Sequence, residues 1–279
     1  KRVRYKGVVC DKCGVEVTRS LVRRERLGHI ELASPVSHIW FARGVPSVMA
    51  LILNISISDL EKVLYFANFI ITSVNEEHKK DVLRQVEQEY KSKKKALAKT
   101  REDRVRGEEA ESKRAGLSKG ATVKKLEMLT RQEEEKSKQL EEAYIEAKRE
   151  LHNLKEYRIL SELEYQDLAL KYGHVFSASI GAEAIQELLM KTDLKREIQK
   201  LSEIKGKSKG AHGKADRRLR ILHSFLRNNL RPEWMTLVVL PVVTPDLRPM
   251  VQLEGGRFAA SDLNDLYRRL INRNNRLKR

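Results

Sequence analysis

Two cysteines, Cys10 and Cys13, are the residues whose spacing most directly implies chemistry. A Cys-x-x-Cys knuckle followed by glycine, here Gly14, turns the backbone tightly enough for two thiolates to face one metal. Structural zinc takes four ligands, and these 279 residues hold only 2 thiols. The favoured reading is half of a zinc ribbon whose other two ligands lie upstream of Lys1. His29 and His38 could complete a Cys2His2 set, although their separation exceeds the usual spacing. A redox pair normally opens a helix after a buried strand, whereas Val15, Glu16 and Val17 continue as strand. Two plain reduced cysteines are the bland alternative. A disulfide framework is excluded, because two neighbouring cysteines cannot build one.

Basic residues come next. Arg19, Arg23, Arg24 and Arg26 crowd together, and arginine binds phosphate oxygens in bidentate geometry. The alternative is a solvated turn paired with Glu25 and Glu31. At 205–214, KGKSKGAHGK approaches a phosphate loop only at Gly206-Lys207-Ser208; position 201 is leucine where that pattern needs glycine. A flexible basic loop able to touch nucleic acid is expected there. Further on, Pro241, Pro245 and Pro249 precede Gly255-Gly256, which predicts an exposed, stiffened loop between a strand and a helix. Ser261 caps that helix, with Asp262 and Asp265 in its first turn. Leu263, Leu266, Leu270 and Leu277 can share one apolar seam. Arg268, Arg269, Arg273, Arg276, Lys278 and Arg279 exceed what the helix dipole needs, so a docking surface for protein or nucleic acid is expected. No Ser/His/Asp pattern, helical His-Glu-x-x-His or aspartate-rich magnesium loop is present.

The elements that must carry these groups follow from proline and charge. Positions 47–231 lack proline, as long helices require. Residues 76–157 hold 22 basic and 19 acidic side chains around an apolar stripe of Leu83, Val86, Tyr90 and Leu97, then Leu140, Ala143, Ala147, Leu151 and Leu154. That pattern predicts an antiparallel coiled-coil hairpin of two helices of about 30 residues, roughly 45 Å each, with Gly107, Gly116 and Gly120 marking its tip. Shorter helices are expected at 58–66, capped by Ser58, and at 181–190 and 195–204. Strands are expected at 8–9, 15–18, 38–42 and 236–243, with Trp40 and Phe41 in the core at a strand end. The fold class is mainly α with small β elements.

The formal net charge is +17, from 56 Lys and Arg against 39 Asp and Glu, which favours a polyanionic partner such as nucleic acid. The hairpin contributes only +3, whereas 1–46, 191–230 and 231–279 carry +6, +8 and +4. The excess is therefore local. An apolar share of 41% with 34% charged residues is too polar for a membrane protein. The longest uncharged runs, such as 44–58, fall short of the ~20 apolar residues of a spanning helix. No basic-then-apolar leader opens the chain, so a reducing, cytoplasmic setting is expected. Both ends look cut, so a piece of something larger is expected.

Two stretches carry a family resemblance: GVVCDKCGVEVTRSLVRRERLGHIELASPVSHIWF and PDLRPMVQLEGGRFAASDLNDLYRRLINRNNRLKR. They closely resemble the N-terminal clamp region of the bacterial RNA polymerase beta-prime subunit. The likeness covers roughly 1–75 and 158–279, while 76–157 looks like a lineage-variable insertion. The resemblance implies that Cys10 and Cys13 are the second pair of a four-cysteine zinc ribbon, with the first pair outside this chain. It implies that 245–257 is a lid that helps peel the transcript from the RNA–DNA hybrid, with Arg248 and Arg257 contacting nucleic acid; Arg23 and Arg24 join them as nucleic-acid contacts expected from the basic cluster itself. It also implies that the helix after Ser261 is the first arm of the clamp helices, docking sigma factor through Asn264, Arg273 and Arg276. The family's magnesium-holding aspartates do not occur here, so magnesium belongs to the parent enzyme alone.

The domain organisation expected is a truncated zinc ribbon and basic segment (1–46), clamp core helices (47–75), the hairpin (76–157), a clamp core continuation (158–244), the lid (245–257) and the first clamp-helix arm (258–279). The resemblance implies a part of a nucleotidyltransferase whose partners are DNA, the RNA–DNA hybrid, the beta, alpha and omega subunits, and sigma factor, with no membrane. The alternative is a free-standing coiled-coil adaptor that binds nucleic acid through its basic ends.

Overall fold

The computed structural model describes residues 4–114, 119–207 and 213–278. Helices dominate and the sheets are small and antiparallel, in keeping with the expected class. The chain divides into two compact units, residues 1–66 with 180–279, and residues 67–179.

The first unit opens with a short helix α1 (Val22–Glu25), a long strand β1 (Gly28–Ser37), and helices α2 (Ile39–Ala42), α3 (Val48–Leu53) and α4 (Ile57–Leu64). The strand expected at 38–42 is replaced by α2. His38 Nδ1 accepts the Trp40 backbone N–H at 3.2 Å and so starts a helix, which leaves Trp40 77% exposed instead of in the core. Helix α4 begins earlier than expected, because Ser56, not Ser58, caps it by accepting the Asp59 N–H at 3.0 Å.

The second unit contains β2 (Phe69–Val74), the long helices α5 (Glu76–Arg114) and α6 (Lys119–Asn153), β3 (Ile159–Leu160), α7 (Glu162–Tyr172) and β4 (Phe176–Ser179). Strand β2 lies between β3 and β4, antiparallel to both. Ile71, Leu151, Leu154, Leu160, Leu168 and Phe176 form its core. Asn75 starts α5 by accepting the N–H groups of Glu77 and His78, and the buried Lys79 Nζ donates to the Leu154 carbonyl at 2.7 Å. The two helices run antiparallel: Tyr90 stacks on Tyr144 with ring centroids 4.4 Å apart, and farther along Arg104 meets Glu133 at 2.7 Å. At 39 and 35 residues they exceed the expected length, because Gly107 and Gly120 lie within them. Gly116, the third glycine expected at the tip, lies outside the described residues.

The chain returns to the first unit with α8 (Gly181–Lys191), α9 (Leu194–Lys207) and α10 (Gly213–Arg227). A 3-10 turn at Pro232–Met235 leads into β5 (Thr236–Val242), β6 (Met250–Gln252), β7 (Phe258–Ala260) and α11 (Asp262–Leu277). The basic loop expected at 205–214 is partly helix, since Lys205, Gly206 and Lys207 end α9 while Gly213 and Lys214 open α10; 208–212 lie outside the described residues. Met49, Ile52, Leu60, Ile185, Leu188, Leu189 and Leu222 are fully buried. Arg218 is buried as well: Nε donates to the Leu51 carbonyl at 2.8 Å, and Nη2 reaches the Ile52 carbonyl and Glu197. Part of the positive charge of 191–230 is thereby spent on closing the end of α3.

Strands β1 and β5 pair antiparallel from Gly28–Val242 to Ser37–Thr236, with the register broken between Glu31 and Val36. Pro35 stands in that break, where a missing N–H does no harm to the ladder.

Candidate nucleic-acid interface

Around the cysteines the backbone closes a small knuckle. The Cys10 N–H donates to the Val15 carbonyl at 2.9 Å, the Gly14 N–H donates to the Cys10 carbonyl at 2.8 Å, and Val9 bridges Glu16. Gly14 has φ 68°, the left-handed conformation that glycine adopts without strain. Both thiols are exposed. Hydrogen bonding from the Cys13 backbone, then from that of Lys12, holds the Cys10 thiol below its ordinary range, which favours a thiolate. This donor set fits half of a tetrahedral zinc site. Among the described residues no group of three His, Cys, Asp or Glu side chains could hold a metal. His38 instead caps α2, and His29 faces Glu31 at 3.9 Å.

The arginine cluster is tied down on two sides. Arg26 reaches Glu16 of the knuckle at 3.2 Å. Arg23 Nε donates to Asp246 Oδ1 at 3.0 Å, and Arg24 Nε donates to Asp246 Oδ2 at 3.3 Å. With the Arg23 guanidinium first and Arg24 after it, the Asp246 carboxyl is held below the usual carboxylate range. The local carboxylates Glu25 and Glu31, considered from sequence as partners, are not the ones that Arg23 and Arg24 use.

Asp246 sits in a 3-10 turn, Pro245–Leu247, immediately before β6. The loop expected at 245–257 is in fact a β-hairpin: Met250 pairs with Ala260, Val251 with Ala259 and Gln252 with Phe258. Its turn is closed by the Leu253 N–H donating to the Arg257 carbonyl at 2.7 Å, with φ 82° at Gly255 and 75° at Gly256. Met250, Val251, Leu253 and Phe258 all stand exposed along it, as does Arg257. At the base, the half-buried Arg248 donates through Nε to the Val243 carbonyl at 2.7 Å and through Nη1 to Asn264 Oδ1 at 3.0 Å. Asn264 Nδ2 returns a bond to the Arg248 carbonyl at 3.2 Å.

Helix α11 starts with Ser261 accepting the Leu263 N–H at 3.4 Å. One face docks on β1 and β5, where the Tyr267 hydroxyl accepts the Val243 N–H at 3.1 Å and Asn274 is buried. On another, Leu263, Leu266 and Leu270 line a shallow groove with Leu240 and Arg273, so three of the four expected seam leucines stay together. Leu277 lines a separate recess with Pro35, Val36 and Ile39. Arg273 and Arg276 are exposed, while Asn264 is half-buried against Arg248. Sequence reasoning missed Asp246 and Asn274, since nothing in their local spacing shows that they bind residues more than two hundred positions away.

An exposed hairpin, a paired arginine cluster and a cysteine knuckle lie on one unit. The family model described as RNA polymerase Rpb1, domain 1, matches residues 3–175 and 183–279, and the chain belongs to that family. It is 46% identical over 280 residues to the DNA-directed RNA polymerase subunit beta' of Dehalococcoides mccartyi. To the subunits of the same description from Bifidobacterium longum and Nocardia farcinica it is 45% and 44% identical. Each alignment takes in all of this chain and 21% or 22% of the relative, so the chain spans about one fifth of the length of these relatives.

Proposed function

We propose that this chain is the N-terminal clamp portion of the beta-prime subunit of a bacterial DNA-directed RNA polymerase, and that it grips nucleic acid during DNA-templated transcription. Catalysis of nucleotidyl transfer, and the magnesium it uses, then fall to other parts of the enzyme. The observation that carries this reading is the exposed β6–β7 hairpin with Arg257 in its turn, braced at its base by Arg248 and Asn264. Two stiffening prolines before it and two glycines in its turn suit a wedge that keeps its shape between strands. Arg257, Arg23 and Arg24 supply phosphate contacts, and Arg248 holds the hairpin while lying beside the same strands.

Cys10 and Cys13 supply two ligands of a structural zinc, which would fix the knuckle beside the arginine cluster. Helix α11 offers Arg273, Arg276 and the Leu263–Leu266–Leu270 groove to sigma factor, with Asn264 at its start. The remaining partners are the beta, alpha and omega subunits, DNA and the RNA–DNA hybrid, in the cytoplasm. Among the described residues no helix is long and apolar enough to cross a membrane.

The test is Arg257→Gln in the full-length subunit assembled into polymerase, with affinity for a transcription-bubble scaffold followed against salt. Loss of one phosphate contact should flatten the log–log salt slope by about 0.7–0.9. An unchanged slope speaks against the reading.

A further inference from the structure

We propose that Asp246 is an internal stand-in for a nucleic-acid phosphate, occupying Arg23 and Arg24 until a strand displaces it. The inference rests on the nucleic-acid reading above and adds a control on affinity at that same site. A single carboxylate spans two neighbouring guanidiniums, one oxygen to each Nε, at 3.0 and 3.3 Å. A phosphate presents oxygens of the same charge and similar spacing, and is the ligand that arginine forks match best. The arginine side chains are 64% and 72% exposed, so each keeps its outward N–H groups open to an approaching strand. Asp246 itself is carried on the 3-10 turn between Thr244 and Arg248, at the foot of the exposed hairpin. Pro245 and Pro249 stiffen that foot, so the carboxylate stays near the arginines without a strand present. An ion pair this exposed is weak and salt-screened, and displacement by a polyanion is therefore easy. The consequence is a threshold: incidental anions meet an occupied cluster, whereas a strand also held by the hairpin competes Asp246 away.

The test uses the full-length subunit in assembled polymerase, a fluorescent scaffold carrying an RNA–DNA hybrid and upstream duplex, and a salt titration. Asp246→Asn, nearly isosteric and still able to hydrogen-bond, should bind about two- to fivefold tighter, the reciprocal of what an exposed pair holds. Its log–log salt slope should stay close to that of the wild type, because the strand that displaces Asp246 already makes both arginine contacts. Arg23→Gln with Arg24→Gln should weaken binding and flatten the slope, and adding Asp246→Asn to that pair should then change nothing further. If the arginine pair matters but Asp246→Asn leaves affinity unchanged or weaker, the carboxylate orients the arginines, and the stand-in proposal is overturned while the nucleic-acid reading survives. If the arginine pair has no effect, these arginines are not phosphate contacts and both fall for this cluster.

Discussion

Arg248 and Asn264 hold each other in both directions: the arginine guanidinium donates to the asparagine carbonyl oxygen at 3.0 Å, and the asparagine amide donates to the arginine backbone carbonyl at 3.2 Å. The first residue closes the foot of the hairpin and the second lies in the first turn of α11, so the pair fixes one element against the other. Arg248→Ala and Asn264→Ala should therefore be non-additive, with a coupling of roughly 0.5–3 kcal/mol in a double-mutant cycle on stability. Simple additivity would mean that the hairpin is held by something else.

Asn274 does comparable work where the β1–β5 ladder is broken. Its Oδ1 accepts the N–H groups of Ala33 and Ser34, at 2.7 and 3.2 Å, and its Nδ2 donates to the Ser34 carbonyl at 2.8 Å. Asn274→Ala leaves those backbone groups without a partner in a half-buried place. A loss of about 1–3 kcal/mol for each group left unpaired is expected. Hydrogen exchange at Ala33 and Ser34 should accelerate, while the amides of α6 keep their protection.

The knuckle makes a metal prediction. Cys10→Ser in the full-length subunit should lower its zinc content by one equivalent, as read by elemental analysis of the purified protein. Full retention of zinc would remove Cys10 from the ligand set.

Acid should act on the second unit through a helix cap. Ser161 Oγ accepts the Glu164 N–H, and the Glu164 carboxylate accepts the Ser161 N–H at 2.9 Å. That backbone bond, followed by the Ser161 hydroxyl, holds Glu164 below its ordinary pKa. A carboxyl whose folded pKa is depressed adds stability that is present above its unfolded value and lost as pH falls through the folded one. The melting temperature of the wild type should thus exceed that of Glu164→Gln at pH 7, and the two should converge in acid. A gap that persists unchanged at low pH would show that charge at Glu164 is not what matters.

Much of this is legible in the amino-acid sequence. Charge balance around an apolar stripe identified the long hairpin, and the lack of proline identified its continuity. The cap at Ser261 and a strand near 236–243 also follow from local chemistry. What escaped was set by distant partners. Strand β1 is not evident in the sequence because its pairing partner β5 lies some two hundred residues away, and the three-residue strands of the hairpin are too short to show alternation. Trp40, expected in the core because no second aromatic pair accompanies it and Phe41, is carried outward by the helix that His38 starts. Likewise, Arg23 and Arg24 looked open to phosphate until Asp246 was found between them.

In the proposed function the hairpin turn meets nucleic acid. It is tested most directly by placing a photo-crosslinking amino acid at position 257 of the full-length subunit and irradiating assembled transcription complexes, with the same probe at Lys93 on the long hairpin as the comparison. Crosslinks are expected from position 257 to the nascent RNA or the upstream DNA, and none from position 93. Crosslinks confined to protein from position 257, in complexes that are otherwise active, would contradict it.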